Sequence, residues 1–264
     1  EAVAAAALGE LPGGDPVMHF YEQFLAAYDP RLRAARGVFF TPEPVVTYLV
    51  ESSDAVLRGS LGLALGLADD TRWGAYAAAR GLAVPPGIDP SCPFVQIVDP
   101  AAGTGTFVVA VIRRAHATMQ ARWSAAGQDP TQQRTSWTAY ARERLLPRLR
   151  GVERMVAPWV IANLRLAMLL EETGFAGQVD APVLLLGDTL GAVELLTRPI
   201  SVVLGNPPYG REAPGSAGGG WIRGTGVGWA PLADFVEPAR QAGAGAHVKN
   251  LYNLYVYFWR WACW

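Results

Sequence analysis

Four short apolar runs in this chain each stop at a polar residue in a turn. "FVQIVD" closes on Asp99, "RGVE" on Glu153, "APVLLLGD" on Asp188, and "ISVVLG" runs into Asn206. Helical patterns separate them: "VVAVIRRAHATMQARW" follows the first and the amphipathic "APWVIANLRLAMLLEE" the second. Strands alternating with helices predict βαβ units, and hence a mostly parallel, twisted sheet flanked by helices with right-handed crossovers. In such sheets ligands gather beyond the carboxyl ends of the strands. All four polar closures fall at such ends, so an α/β fold with its site on one rim of the sheet is expected.

Composition narrows the field. At ~100–200 residues per domain, 264 residues make one large domain or two small ones. The apolar fraction of 51% feeds a packed core, and 17% charged residues argue against general disorder. A net charge of −1 excludes a surface that is basic throughout and leaves room for a local basic groove. The two cysteines, Cys92 and Cys263, stand far apart without a C-x-x-C pattern. A disulfide framework or cysteine zinc site is excluded, no metal is expected, and the cytoplasm is the expected compartment. No apolar run reaches the ~20 residues that span a bilayer, and "EAVAAAALGE" lacks the basic start of a secretory signal. With no initial Met and an end inside "NLYVYFWRWACW", the chain reads as part of something longer.

Asp15-Pro16 marks a helix start, followed by Phe20, Phe24, Leu25 and Tyr28 at helical spacing. Thr41-Pro42 marks a second, with Val45, Val46, Leu49 and Val50 as its apolar stripe. These give a helical N-terminal segment over residues 1–58. Residues 59–93, rich in Gly, Ala and Pro, read as an insertion or cover, and residues 94–264 as the core. Within it, 124–136 read as a polar loop and 137–149 as helix.

The strand ends suggest chemistry. In "DPAAGTGTF", Gly103 and Gly105 precede a helix, so backbone approaches a ligand closely and helix N–H groups stay free for a phosphate or a carboxylate. The spacing lacks the dinucleotide pattern G-x-G-x-x-G, and no Gly-Lys-Ser/Thr follows. Glu153 can hold two ribose hydroxyls, and Asp188 can accept from an adenine amine. Each alone is also an ordinary solvated or capping carboxylate. Three acids beside one glycine loop describe a pocket for adenosine joined to an amino acid, and suit a positively charged ligand such as a sulfonium.

"NPPY" is sharper. Proline fixes its own φ and drives the preceding residue into extended geometry, so Asn206 and Pro207 are rigidly held. The Asn206 side-chain oxygen and the Pro207 carbonyl become two aimed acceptors, and neither Pro207 nor Pro208 offers a competing N–H. Two acceptors are what an exocyclic amine needs to turn its lone pair from the ring toward an electrophile. Tyr209 offers a flat face for a base. No nucleophilic side chain is required, because orientation alone supplies ~7–11 kcal/mol.

"DPAAGTGTF" followed by "NPPY" resembles the signature pair of AdoMet-dependent amino-methyltransferases. "RGVFFTPEPVV" (Arg36–Val46) resembles the motif that precedes the glycine loop in γ-ordered adenine-N6 DNA methyltransferases. "YEQFLAAYDPRLRAARGVFFTP", "GVERMVAPWVIANLRL" and "HVKNLYNLYVYFWRW" resemble the methyltransferase region of type ISP and type IIG-like restriction-modification enzymes. The resemblance implies a Rossmann-like methyltransferase fold, S-adenosyl-L-methionine as cofactor and double-stranded DNA as substrate. It implies that Thr41, Ala101, Gly103, Thr104, Gly105 and Phe107 belong to the methionine side of the cofactor site, with Asp99 near its amino group. Glu153 takes the ribose and Asp188 the adenine amine, while Asn206, Pro207, Pro208 and Tyr209 position the N6 of a flipped-out adenine. Thr41-Pro42 is equally an ordinary helix cap. The later motifs, a target-recognition domain and any nuclease or translocase domains are expected elsewhere in the same polypeptide. The tail Gly210–Gly228, with Arg211 and Arg223, reads either as a segment that orders over DNA phosphates or as a plain surface loop. Cytosine N4, RNA guanine, a protein glutamine, or no reaction at all (an idle module of a restriction complex) are the alternatives.

Overall fold

The computed structural model describes residues 41–191, 199–210, 222 and 231–263. Four strands, β1 (Ile97–Asp99), β2 (Leu149–Glu153), β3 (Leu184–Leu186) and β4 (Val202–Val203), form a sheet of order β3-β2-β1-β4 in which every pairing is parallel. Asp99 lies opposite Gly151 and Glu153 opposite Leu186, so the acids share one rim. The chain steps outward from β1 to β2 and β3, then returns to lay β4 on the other side of β1. In open α/β sheets such a reversal, here between β1 and β4, is where ligands bind.

Period-two alternation divides the strands between two cores. Ile97, Leu149, Leu184 and Val202 enter the larger cluster with Val108, Ile112 and Leu166, whereas Val98 joins Leu232, Val236, Tyr257 and Trp261 on the other face. The sheet is the middle layer, and the expected mixed α/β architecture is the one observed. The strands are shorter than the apolar runs: "FVQIVD" contributes its last three residues and "ISVVLG" only two.

Seven α-helices are described: α1 (Glu43–Gly59), α2 (Trp73–Ala78), α3 (Thr106–Ala125), α4 (Pro130–Tyr140), α5 (Val156–Glu172), α6 (Ala233–Gln241) and α7 (Leu254–Ala262). α1 buries Val46, Val50 and Leu57, with Asp54 fully buried among them. The Asp54 carboxylate accepts from Arg58 on its own helix, from Arg114 on α3 at 2.7 Å, and from the Leu67 N–H at 2.8 Å. Burial alone raises its pKa; the bonds from Arg58 and Arg114 outweigh that and hold it below the usual carboxylate range. This cluster pins α1 to α3, the helix that opens from the glycine loop.

Two expectations need correction. Residues 130–136 are helical: Asp129 accepts from the Thr131 and Gln132 N–H groups, and Gln132 answers onto the Asp129 N–H, a capping box with proline at the first position. The apolar pattern hides this helix because it buries only Trp137 and Tyr140. The helix expected over 137–149 is observed through Arg148, running on from Tyr140 as a π-helical turn (Ala141–Leu145) and a 3-10 turn (Leu146–Arg148) before β2 begins at Leu149, so it does not stay α-helical. Nor is α5 polar on its outer side: Ala162, Leu166, Leu169 and Leu170 face inward, while Val156, Val160, Leu164 and Met168 form an exposed apolar row.

From the 59–93 stretch, Leu63, Leu67, Ala68 and Tyr76 enter the same cluster as Ile97. The helix expected from Asp15-Pro16, and Arg36–Phe40 of the upstream motif, lie outside the described residues. Among the described residues no helix is long and apolar enough to cross a membrane.

Candidate functional site

After Asp99 the chain turns so that the Ala102 N–H returns to the Val152 carbonyl at 2.9 Å, then passes through two glycines of positive φ, Gly103 (+54°) and Gly105 (+79°). Gly105 is also the residue that starts α3, and a Cβ there would stand 3.1 Å from the Ala162 Cβ on α5. Handedness and close packing both call for glycine. The loop is clamped from three sides. The Gly103 N–H donates to Glu153 Oε2 at 2.9 Å, and the Thr189 hydroxyl donates to the Pro100 carbonyl at 2.7 Å. From α5, Arg165 donates to the Thr104 carbonyl at 2.7 Å and to the Thr106 hydroxyl at 3.1 Å. Sequence reasoning missed Arg165 and Thr189; for Arg165 the signal is a lone cation inside "VIANLRLAMLL".

The three acids differ in what they have left to offer. Asp99 is 3% exposed; Oδ1 accepts from the Ala101 N–H at 3.1 Å, and Oδ2 is buried with no hydrogen-bond partner. Burial pushes its pKa up to about 7; the Ala101 bond opposes the rise and the Glu153 charge adds to it. Glu153 is raised by burial too, opposed by bonds from the N–H groups of Met155 (2.6 Å) and Gly103. Asp188, two residues beyond β3 and half-buried, accepts from the Leu190 N–H at 3.0 Å and stands 3.7 Å from exposed Arg154. Ala101 is half-buried, Thr104 is buried under Arg165, and Phe107 packs inside the larger core.

β4 makes its last backbone bond from the Leu204 N–H to the Val98 carbonyl. Gly205 then slides past Asp99 so closely that a Cβ would meet Asp99 Oδ1 at 2.6 Å. Only glycine lets the ends of β1 and β4 touch, another requirement that sequence reasoning missed. Asn206 follows, half-buried like Pro207 and Pro208. Its Nδ2 donates to the Thr41 hydroxyl oxygen at 3.0 Å, and its Oδ1 accepts from the Tyr209 hydroxyl at 2.5 Å. Tyr209 is 60% exposed and stacks on Tyr255 of α7, with centroids 5.9 Å apart and planes 23° apart; Trp259 continues the row. The Leu254 N–H, at the start of α7, donates to the Gly210 carbonyl at 2.9 Å.

Thr41, Asp99, Ala101, the glycine loop, Glu153 and the Asn206–Tyr209 turn thus meet on one rim. Asp188 stands further along the same rim, past β3. Arg211, Arg223 and the rest of the tail beyond Gly210 lie outside the described residues. A cavity of about 380 Å³, bordered by Asp70, Arg72, Pro93 and Arg144, opens instead beside Arg148, which precedes β2, away from these strand ends.

No family model and no curated protein matches this sequence. Solved structures do. The cryo-EM structure of the DrdV–DNA complex is similar at 24% identity with a TM-score of 0.55, over 94% of this chain and 21% of that one. A nuclease-deletion mutant of the Type ISP restriction-modification enzyme LlaGI, in complex with a DNA substrate mimic, is similar at 22% identity and 0.56, over 92% of this chain and 18% of that one. The ATP-dependent Type ISP restriction-modification enzyme LlaBIII bound to DNA is similar at 21% and 0.55, over 93% and 15%. At such identities the likeness establishes a shared fold. This chain spans about a fifth or less of the length of these proteins.

Proposed function

We propose that this chain is the methyltransferase region of a DNA restriction-modification enzyme, which moves the methyl group of S-adenosyl-L-methionine to the exocyclic N6 of an adenine turned out of duplex DNA. The observation that carries this reading is the contact between two strand ends: Gly205 seats the Asn206 turn directly against Asp99 below the glycine loop. A loop suited to the cofactor and a turn suited to an aromatic amine therefore adjoin. The likeness in fold to restriction-modification proteins in complex with DNA supports the choice of substrate.

The residues present fit the cofactor at a specific atom. Asp99 Oδ2, buried and without a partner, is a seat for a cationic amino group. Thr41, Ala101, Gly103, Thr104, Gly105 and Phe107 form or support the methionine side, Glu153 the ribose side and Asp188 the adenine side. The cofactor, when bound, supplies an electrophilic methyl group on a positively charged sulfur. The chain's own residues do the rest by position. Asn206 Oδ1 exchanges the Tyr209 hydroxyl for one amine hydrogen, the Pro207 carbonyl takes the other, and Pro208 keeps the turn free of a competing donor. Both hydrogens then point away from the lone pair that attacks; as the nitrogen–carbon bond forms the methyl–sulfur bond breaks, and the cationic amine then gives up one of the two protons to solvent. The Tyr209 ring, already exposed, holds the base face-on. Arg211 and Arg223 are assigned to DNA phosphates, and target recognition, nuclease and translocase parts to other regions of the same polypeptide.

The test is to express the full gene product and an Asn206→Ala copy in a methylation-free host, then quantify modified nucleosides by mass spectrometry. N6-methyladenine from the native protein alone is the expected result. N4-methylcytosine changes the base, and no modified DNA base with cofactor still bound moves the activity to RNA or protein.

A further inference from the structure

We infer that Thr41 is a positioning residue for Asn206: its hydroxyl oxygen is the acceptor that holds the amide with Oδ1 toward the incoming amine. This deepens the methylation reading and rests on it. A primary amide has two ends of nearly one shape and opposite chemistry, an oxygen that accepts and a nitrogen that donates. An amine substrate brings N–H donors, so the reaction needs the oxygen outward. Pro207 restrains the Asn206 backbone, yet the amide still rotates about its own broad side-chain torsion. With the oxygen outward, Nδ2 points inward into a half-buried position, where an unmet donor is costly.

Thr41 Oγ1 meets that donor at 3.0 Å, across 165 residues of sequence. The other bond of the amide, from Tyr209, comes from an exposed ring of the same turn and is the one a base replaces. Thr41 is therefore the partner that stays. Nor is its hydroxyl spent on the helix behind it. The N-cap of α1 is Pro42, no side chain caps that helix, and the Pro42 carbonyl accepts from Val45 and Val46. The ordinary role of a Thr-Pro pair is absent here. Farther along α1, the Asp54–Arg114 pair fixes the helix to α3, and so fixes where Thr41 stands relative to the glycine loop.

The test compares Thr41→Val, which keeps the shape and drops the hydroxyl, with Thr41→Ser, which keeps the hydroxyl. In the full gene product, Thr41→Val is expected to lower kcat about 10–100-fold at saturating cofactor and DNA, with KM for DNA within about twofold, and Thr41→Ser to recover most of the loss. In the 264-residue chain without ligand, the Asn206 side-chain amide is followed by NMR, assigned by its loss in Asn206→Asp. Its two hydrogens are expected to shift and to exchange faster in Thr41→Val and not in Thr41→Ser. Unchanged Asn206 resonances overturn the inference, as does a Thr41→Val enzyme with native kcat and only a raised KM for cofactor. A native protein that methylates nothing sinks the methylation reading alone, since the amide resonances decide about the contact separately.

Discussion

The two halves of the rim are built differently. Around the glycine loop nearly every hold involves backbone: Gly103 on Glu153, Ala102 on Val152, Thr104 under Arg165, Pro100 under Thr189. On the β4 side, the strand lasts two residues, Pro207 and Pro208 donate nothing, and Asn206 hangs between two hydroxyls. Backbone clamps change only if the fold changes, whereas side-chain bonds exchange within nanoseconds. On the proposed function, the first half suits a cofactor that always has the same shape, and the second a base that displaces the Tyr209 hydroxyl while Thr41 stays.

Substitutions can break this contrast, and they rank by size. Asn206→Ala is expected to reduce methylation about a thousandfold, in line with the loss of a preorganised group, while melting stays within a few degrees of native. A large fall in Tm would make Asn206 part of the framework and erase the distinction. Arg165→Ala should do the reverse. It strips the Thr104 carbonyl and Thr106 of a buried donor, at about 2–4 kcal/mol, so Tm falls by roughly 5–15 °C in calorimetry.

Asp99→Asn is comparable in size and depends on pH. With a folded pKa of about 7 against an ordinary 3.8, the folded chain holds a proton that the unfolded chain has lost. The contribution of Asp99 to native stability therefore falls as pH rises from about 4 to about 7 and is level beyond. The Asn variant, which has no charge to bury, should melt about ten degrees above native at pH 8, with the gap closing toward pH 4. A constant gap would mean that burial does not set the Asp99 pKa. Smallest is Tyr209→Phe: the stacking face remains and only the replaceable bond goes, so kcat should change no more than about threefold.

The sequence made the strand ends legible because each apolar run needs a stop, and a polar stop on a parallel sheet falls on the ligand rim. Asp99, Glu153, Asp188 and Asn206 were all visible in that way. What escaped depends on partners far along the chain. Nothing near Gly205 announces that Asp99 will lie against it, and nothing near Arg165 names Thr104. Helix α4 escaped for another reason. Its Asp129–Gln132 capping box is plain in the sequence, but a helix that buries two aromatic side chains leaves no periodic stripe. Strand length was misread because burial continues beyond pairing: Val95 is fully buried yet belongs to no strand.

Asp99 Oδ2 carries one more consequence. In mildly acidic solution a cationic ligand that settles on this oxygen must expel a proton, so its uptake is an exchange of one positive charge for another. Calorimetry in two buffers of different ionisation heat should then give different apparent enthalpies at pH 6 and converging ones above pH 8. The acidity of the medium becomes, in effect, a competitor for the seat.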